Sequence, residues 1–262
     1  MNYSILITLI QLPLSQKSKE MCYSISIGTR EDRLTERYNR TGLTKLDFKP
    51  QLYINGFTYP ELPIIKQENQ SVFEGSYLGF IPNHIKSDNA AIDFRKKYLT
   101  LNAKAETIFQ LPTFKGSIMT RRCLIPATGF FEWRDLNKAK YPYYITLKKQ
   151  DVFSFAGIYN SYKNENGEVK STFAIITTEA NPLMAQVHNL KKRMPLIFTK
   201  ETENDWLLDA LTESDVKELM QQLDQKLMNA HPIAKIDPRK AVADDKTIIE
   251  EVEYVELDSL VI

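Results

Sequence analysis

Between residues 121 and 177 the chain breaks into short β-branched and aromatic runs, each closed by a turn signal. That pattern limits the fold more than any other feature. Residues 123–127 read as a strand ending around Pro126, and 129–133 as a compact aromatic strand carrying one carboxylate. Residues 141–147, 152–159 and 171–177 read as three more. Asn166-Gly167 falls between the last two and signals a tight reversal, because these residue types accept the positive φ that such turns demand.

Upstream, residues 21–28, 51–58 and 77–81 have the same strand character, and 194–198 adds one downstream. Pro60 and Pro63 interrupt the segment after residue 58. Residues 30–48 are charged, with Arg30, Arg33, Arg37 and Arg40 at three- to four-residue spacing. They form either a basic helical face or an irregular solvated stretch. Residues 83–100 read as loop plus short helix, 103–109 as a helix with Asn102 at its N-cap, and 180–188 as another short helix. Val216, Leu219, Met220 and Leu223 fall on one helical face, and Thr212 with Asp215 resembles a capping box. Residues 231–238 turn extended around Pro232, and from Asp244 the chain is acidic and β-branched. The expectation is one α+β domain over 21–240, strand-rich with helices at its periphery. A tail, 241–262, packs on it or trails it.

Residues 1–20 stand apart. The apolar stretch 5–14 is too short to span a bilayer and lacks the basic flank and cleavage site of a signal peptide. The preferred reading is an upstream start with true initiation at Met21; a genuine tail and a pro-segment removed before Cys22 are the alternatives. A hydrophobic fraction of 43% and a charged fraction of 26% are those of a soluble globular chain, with no membrane role. The net charge of +1 supplies no global field for nucleic acid, so local patches must carry any such argument. Cys22 and Cys123 lie far apart, which is no disulfide framework and suits a reducing cytoplasm.

Cys22 follows Met21 like a second beginning. As an internal residue its thiol has a pKa of about 8.5, and it packs readily as a small hydrophobe. As an N-terminal residue it gains an α-amine with a pKa of about 8, and the resulting 1,2-aminothiol traps an aldehyde as a five-membered ring. Glu132 sits between Phe131 and Trp133; it is either a buried proton carrier or the outward member of an alternating strand. His188 precedes a basic run and is either a proton carrier or a helix-end residue. Asn102 either caps a helix or orients a ligand oxygen or phosphate. No two histidines have metal-ligand spacing and the two cysteines lie far apart, so no metal site is expected; no cofactor is expected either. Basic clusters at 95–97, 121–122 and 191–193, with Lys104, interleave with Tyr77, Phe80, Phe130, Phe131 and Trp133; they form either an ordinary solvated surface or the phosphate partners and stacking faces that single-stranded nucleic acid needs.

Met21-Cys22, LGFIP at 78–82, NAKAET at 102–107, RRCLIPATGFFEW at 121–133 and RMP at 193–195 resemble, in this order, the SRAP (SOS response-associated peptidase) family. The resemblance implies a single SRAP domain with a curved β-barrel-like core of mostly antiparallel strands. It also implies covalent capture of abasic sites in single-stranded DNA by a monomer, cytoplasmic and associated with the nucleoid when bound to DNA. In that family the initiator methionine is lost and the new N-terminal cysteine forms a thiazolidine with the ring-opened sugar. Carried over, Cys22 is the nucleophile and Asn102 positions the sugar or the amine. Glu132 handles protons and His188 assists at the sugar oxygen. Lys104, Arg121, Arg122, Trp133, Arg193, Met194 and Tyr77 form the DNA-contact set.

The chain departs from the family pattern in four places. Tyr23-Ser24 stands where Gly-Arg is common, Lys104 replaces an arginine and Leu78 replaces a tryptophan. Asn189 to Lys192 lengthen the step from His188 to the RMP motif. Two other functions compete: a cysteine peptidase limited to self-processing before Cys22, with His188 as base, and a noncatalytic single-strand-binding module.

Overall fold

The computed structural model describes residues 24–44, 46–237, 244–257 and 260. In chain order the elements are β1 (Ser24–Ile27), α1 (Glu31–Tyr38), β2 (Leu43–Thr44), β3 (Gln51–Asn55), β4 (Glu61–Lys66), β5 (Asn69–Leu78), α2 (Asp88–Lys97), β6 (Asn102–Lys104) and β7 (Arg122–Ala127). They continue with β8 (Gly129–Leu136), β9 (Ala139–Leu147), β10 (Phe153–Lys163), β11 (Val169–Glu179), α3 (Pro182–Val187), β12 (Arg193–Pro195), β13 (Ile197–Phe198), α4 (Glu213–Leu219) and β14 (Met228–Pro232). The fold is α+β, with mostly antiparallel strands and helices outside them.

Five strands close on themselves. β5 pairs with β4, β4 with β7, β7 with β10 and β10 with β11, all antiparallel. β11 then meets β5 in parallel, Thr172 opposite Tyr77 and Phe173 opposite Leu78. A ring removes the unpaired edges an open sheet would expose. The β10–β11 hairpin that brings β11 round turns at Asn166-Gly167, as the sequence signal requires. Gly167 takes φ +83°, and the Asn164 Oδ1 accepts from the Asn166 and Glu168 amides at 3.1 and 2.9 Å.

A second sheet runs β14-β9-β8-β1-β3. Its strand β8 alternates between two apolar clusters, with Phe130 in the main core and Phe131 in a smaller cluster with Tyr53, Tyr144 and Ile233. Gly129 opens β8 because the Tyr144 ring lies over it: a Cβ there would sit 2.3 Å from that ring. Chain from the C-terminal region covers the smaller cluster. Ile248 and Ile249 pack on it, His231 Nε2 approaches the Ile249 carbonyl at 2.8 Å, and the Tyr254 hydroxyl donates to the Ile233 carbonyl.

Three local expectations are corrected. Residues 103–109 are not a helix. Residues 102–104 instead form β6 beside β11, and turns come after it. The AKAET stretch has helical propensity, but a free strand edge outweighs a weak local preference. Pro63 lies inside β4, where pairing with β7 is confined to Ile65 and Lys66, so the missing N–H faces an unengaged edge. β5 starts at Asn69, well before residue 77, in a stretch too polar to read as a strand.

Arg122 is corrected as a DNA contact. It is fully buried. Its Nε donates to the Trp206 carbonyl at 2.8 Å, Nη1 to the Ile118 and Met119 carbonyls at 3.1 and 2.7 Å, and Nη2 to the Leu208 carbonyl. These carbonyls end turns at 117–120 and 206–208 and have no strand to pair with, so one guanidinium satisfies both segments. Burial lowers its pKa.

Replacing Arg122 with Met should orphan those carbonyls and cost about 3 kcal/mol or more in urea unfolding, close to the cost of breaking a buried charged network. A midpoint unchanged in urea would refute that role. At the start of α2, hydrogen bonds from Lys170 and Tyr162 hold the Asp88 carboxyl below the usual range. A lowered folded value contributes stability above the ordinary carboxylate pKa and loses it as pH falls. The melting-temperature gap between the native chain and Asp88→Asn should therefore be full at neutral pH and close below about pH 4.

Candidate functional site

Glu132 follows Phe131 on β8 and returns to the face of Phe130, so strand alternation turns it inward. It is 2% exposed. α3 packs against this strand, started by Asn181, whose side chain accepts from the Met184 amide, and by Pro182. His188 is the residue that ends α3, and it is buried. Its Nδ1 lies 3.0 Å from the Arg193 carbonyl oxygen. A carbonyl only accepts, so Nδ1 carries the hydrogen and the neutral ring keeps its lone pair on Nε2. Glu132 Oε1 stands 3.8 Å from the same nitrogen. That is beyond a hydrogen bond but close enough for a charge contact whenever the ring is protonated.

The lengthened step between His188 and Arg193 does not displace the imidazole. The Lys192 amide donates back to the His188 carbonyl at 2.8 Å, and the Lys192 carbonyl accepts from the Ala180 amide at 2.9 Å. Lys192 takes φ +50° to make that return. Asn189 fastens the loop to β8, accepting from the Asp135 amide at 3.0 Å and donating to its carbonyl at 2.7 Å.

Asn102 is a strand residue opposite Ile175 of β11, not a helix cap. Its Nδ2 reaches the Ile175 carbonyl only at 3.5 Å. Its Oδ1 is buried with no hydrogen-bond partner among the described residues. A buried acceptor left open is costly unless something else fills it. Two residues on, Lys104 is exposed opposite Thr177. Next comes Glu106, whose carboxylate takes both arms of the Arg193 guanidinium, at 2.6 and 2.9 Å. Arg193 Nη2 also donates to the Thr177 carbonyl at 2.8 Å. Burial raises the Glu106 pKa, but the Arg193 hydrogen bonds and nearby Lys104 outweigh it and hold the carboxylate below its usual range.

The family model for SOS response associated peptidase (SRAP) matches residues 21–236. The chain belongs to that family. It is 35% identical over 219 residues to the abasic site processing protein YobE of Bacillus subtilis, spanning 82% of this chain and 95% of that protein. It is 36% identical over 160 residues to the abasic site processing protein YoqW of the same organism, 60% of this chain and 67% of that one. A crystal structure of a Bacteroides thetaiotaomicron protein superposes with a TM-score of 0.82 at 36% identity, covering 88% of this chain and all of that chain.

Against the SRAP motifs, the residues singled out from sequence divide. Glu132 and His188 meet. Asn102, Lys104 and Arg193 gather on β11. Cys22 lies outside the described residues; β1, which begins two residues later, sets Ser24 opposite Phe131, the neighbour of Glu132. Trp133 is half-buried against the smaller aromatic cluster, and Arg121 is half-buried. Tyr77 stands apart, opposite Thr172. That is five residues, roughly 16 Å at strand rise, from Thr177. Met194 is corrected as a channel-lining residue, since it is fully buried and its Sδ accepts from the Asn181 amide.

Two residues went unassigned by sequence. Glu106 lay within the NAKAET motif, and its position there was the available signal. Asn189 carried none. Among the described residues no group of His, Cys, Asp and Glu is arranged to hold a metal, and no helix is long and apolar enough to cross a membrane.

Nitrogen NMR of the imidazole should show neutral His188 as the Nδ1–H tautomer. A dominant Nε2–H form would contradict the arrangement.

Proposed function

We propose that this SRAP-family chain captures abasic sites in single-stranded DNA by forming a thiazolidine with Cys22, exposed as the first residue of the mature protein. The buried Glu132–His188 pair carries the reading: two proton-handling groups side by side, next to the strand that leads back to Cys22. The family match starting at residue 21 supports it, as do relatives named as abasic site processing proteins. β1 starts two residues after Cys22, and two residues of chain span at most about 7 Å.

The chemistry needs proton transfer at each stage. The abasic furanose opens when the hydroxyl proton on C1′ leaves and the ring oxygen gains one, yielding an aldehyde. The Cys22 amine adds to that carbon, and the resulting carbinolamine loses water to form an imine. The Cys22 sulfur then bonds to the imine carbon while the nitrogen takes up the thiol proton, closing the ring. Glu132 gives and accepts protons at the sugar and the carbinolamine. His188, with its lone pair on Nε2, accepts a proton from the sugar hydroxyl. The open Asn102 Oδ1 accepts from the amine or a sugar hydroxyl and orients it. Lys104 and Arg121 pair with phosphates, and Trp133 and Tyr77 offer faces to bases.

The family's description as a peptidase fits a second use of the same nucleophile, removal of residues 1–21 by the chain itself. That use requires Cys22→Ala to retain the segment while the native chain loses it, which intact mass spectrometry reads.

Chain beginning at Cys22, mixed with a single-stranded oligonucleotide bearing one abasic site, should give a shifted band on a denaturing gel. Cys22→Ala should abolish the band, and Glu132→Gln should slow its appearance by about a hundredfold. No band, or an equal band with Cys22→Ala, would sink the proposal. A mature protein that still carries residues 1–21 would sink it too.

A further inference from the structure

We infer that Glu106 is a positioning residue for His188, acting through Arg193: its carboxylate fixes the guanidinium, and the Arg193 carbonyl thereby stays on the hydrogen of Nδ1. The inference rests on the reading in which His188 moves a proton.

Among the described residues, the acceptor within hydrogen-bond distance of His188 Nδ1 is the Arg193 carbonyl at 3.0 Å, with Glu132 Oε1 farther off at 3.8 Å. Arg193 opens β12, a strand of three residues. It directly follows Lys192 in the left-handed region at φ +50°. The first residue of so short a strand is weakly held by its backbone alone. Its side chain supplies the rest. The guanidinium crosses β11, donating to the Thr177 carbonyl at 2.8 Å and its Oγ1 at 3.3 Å. Both Glu106 oxygens then receive its two terminal nitrogens. The Arg193 side chain is 11% exposed and that of Glu106 41%, so Glu106 is the solvent-side end of the clamp.

This arrangement weighs against Arg193 as a phosphate contact. A phosphate would bind the same edge of the fork that Glu106 occupies. The pair also joins the NAKAET and RMP motifs across β11, coupling the segment that bears Asn102 to the strand that holds His188.

The test uses chain beginning at Cys22, with Glu106→Ala and the isosteric Glu106→Gln, which carries the test if the alanine variant does not fold. Three quantities are measured: crosslinking rate at saturating abasic oligonucleotide, affinity for an intact oligonucleotide of the same sequence, and the His188 tautomer by nitrogen NMR. Crosslinking should slow about tenfold or more, as small misplacements of a reacting group do. Affinity for the intact strand should stay within about twofold, because no phosphate contact is lost. The Nδ1–H tautomer should lose population. Glu106→Arg combined with Arg193→Glu restores the pair and should recover most of the tautomer.

An unchanged tautomer with an unchanged rate overturns the inference. So does a tenfold change in intact-strand affinity with the tautomer unmoved, which would make Arg193 a strand contact masked by Glu106. If the unmutated chain forms no crosslink, the proposed function fails, while the NMR comparison still decides whether Glu106 positions His188.

Discussion

The architecture depends on the pairing of β11 along both of its edges. β10 and then β12 run along one edge, through Ile175 and from Thr177. β5 and then β6 run along the other, at Thr172–Phe173 and from Ile175. The parallel meeting with β5 closes the ring. Past that point β11 has two edges left to satisfy, and the short strands β6 and β12 fill them. Those two strands carry Asn102, Lys104 and Arg193. The candidate site therefore lies where a strand extends beyond the ring it closes, and backbone satisfaction of that extension assembles the polar groups.

The inward turn of Glu132 comes from the same logic in the other sheet. β8 has apolar clusters on both faces, so its alternation leaves no solvent side over the motif. A carboxylate on such a strand has to share its space with another polar group, and the end of α3 delivers His188 there. The Asn189 clamp on Asp135 and the Lys192 return hold the loop that links His188 to β12. Burial and orientation are thus inseparable here: the interactions that bury the two groups also orient them.

The basic residues divide by burial. Arg122 serves turn carbonyls in the interior and Arg193 is clamped by Glu106, whereas Lys104 remains on the surface. With a net charge of +1, the chain has little general attraction for a polyanion.

Much of this protein was legible in its residues. The strands from 123 to 177, the reversal at Asn166-Gly167, the capping box at Thr212 and Asp215, and the ordered motifs all come from local periodicity, turn chemistry and side-chain type. These are properties of near neighbours along the chain. Pairing between distant segments decided the rest. It made 102–104 a strand rather than a helix start, because β11 offered an edge that local propensity cannot report. It sent Arg122 into the core, although beside Arg121 it reads as half of a basic patch. It also fixed the hydrogen of His188 on Nδ1, because the carbonyl that holds it arrives on a strand aligned by β11. Sequence alone determined which chemical groups were present and which short segments were extended; only the tertiary structure decided which of those groups are buried together, since that depends on edges and faces contributed by residues far away in the chain.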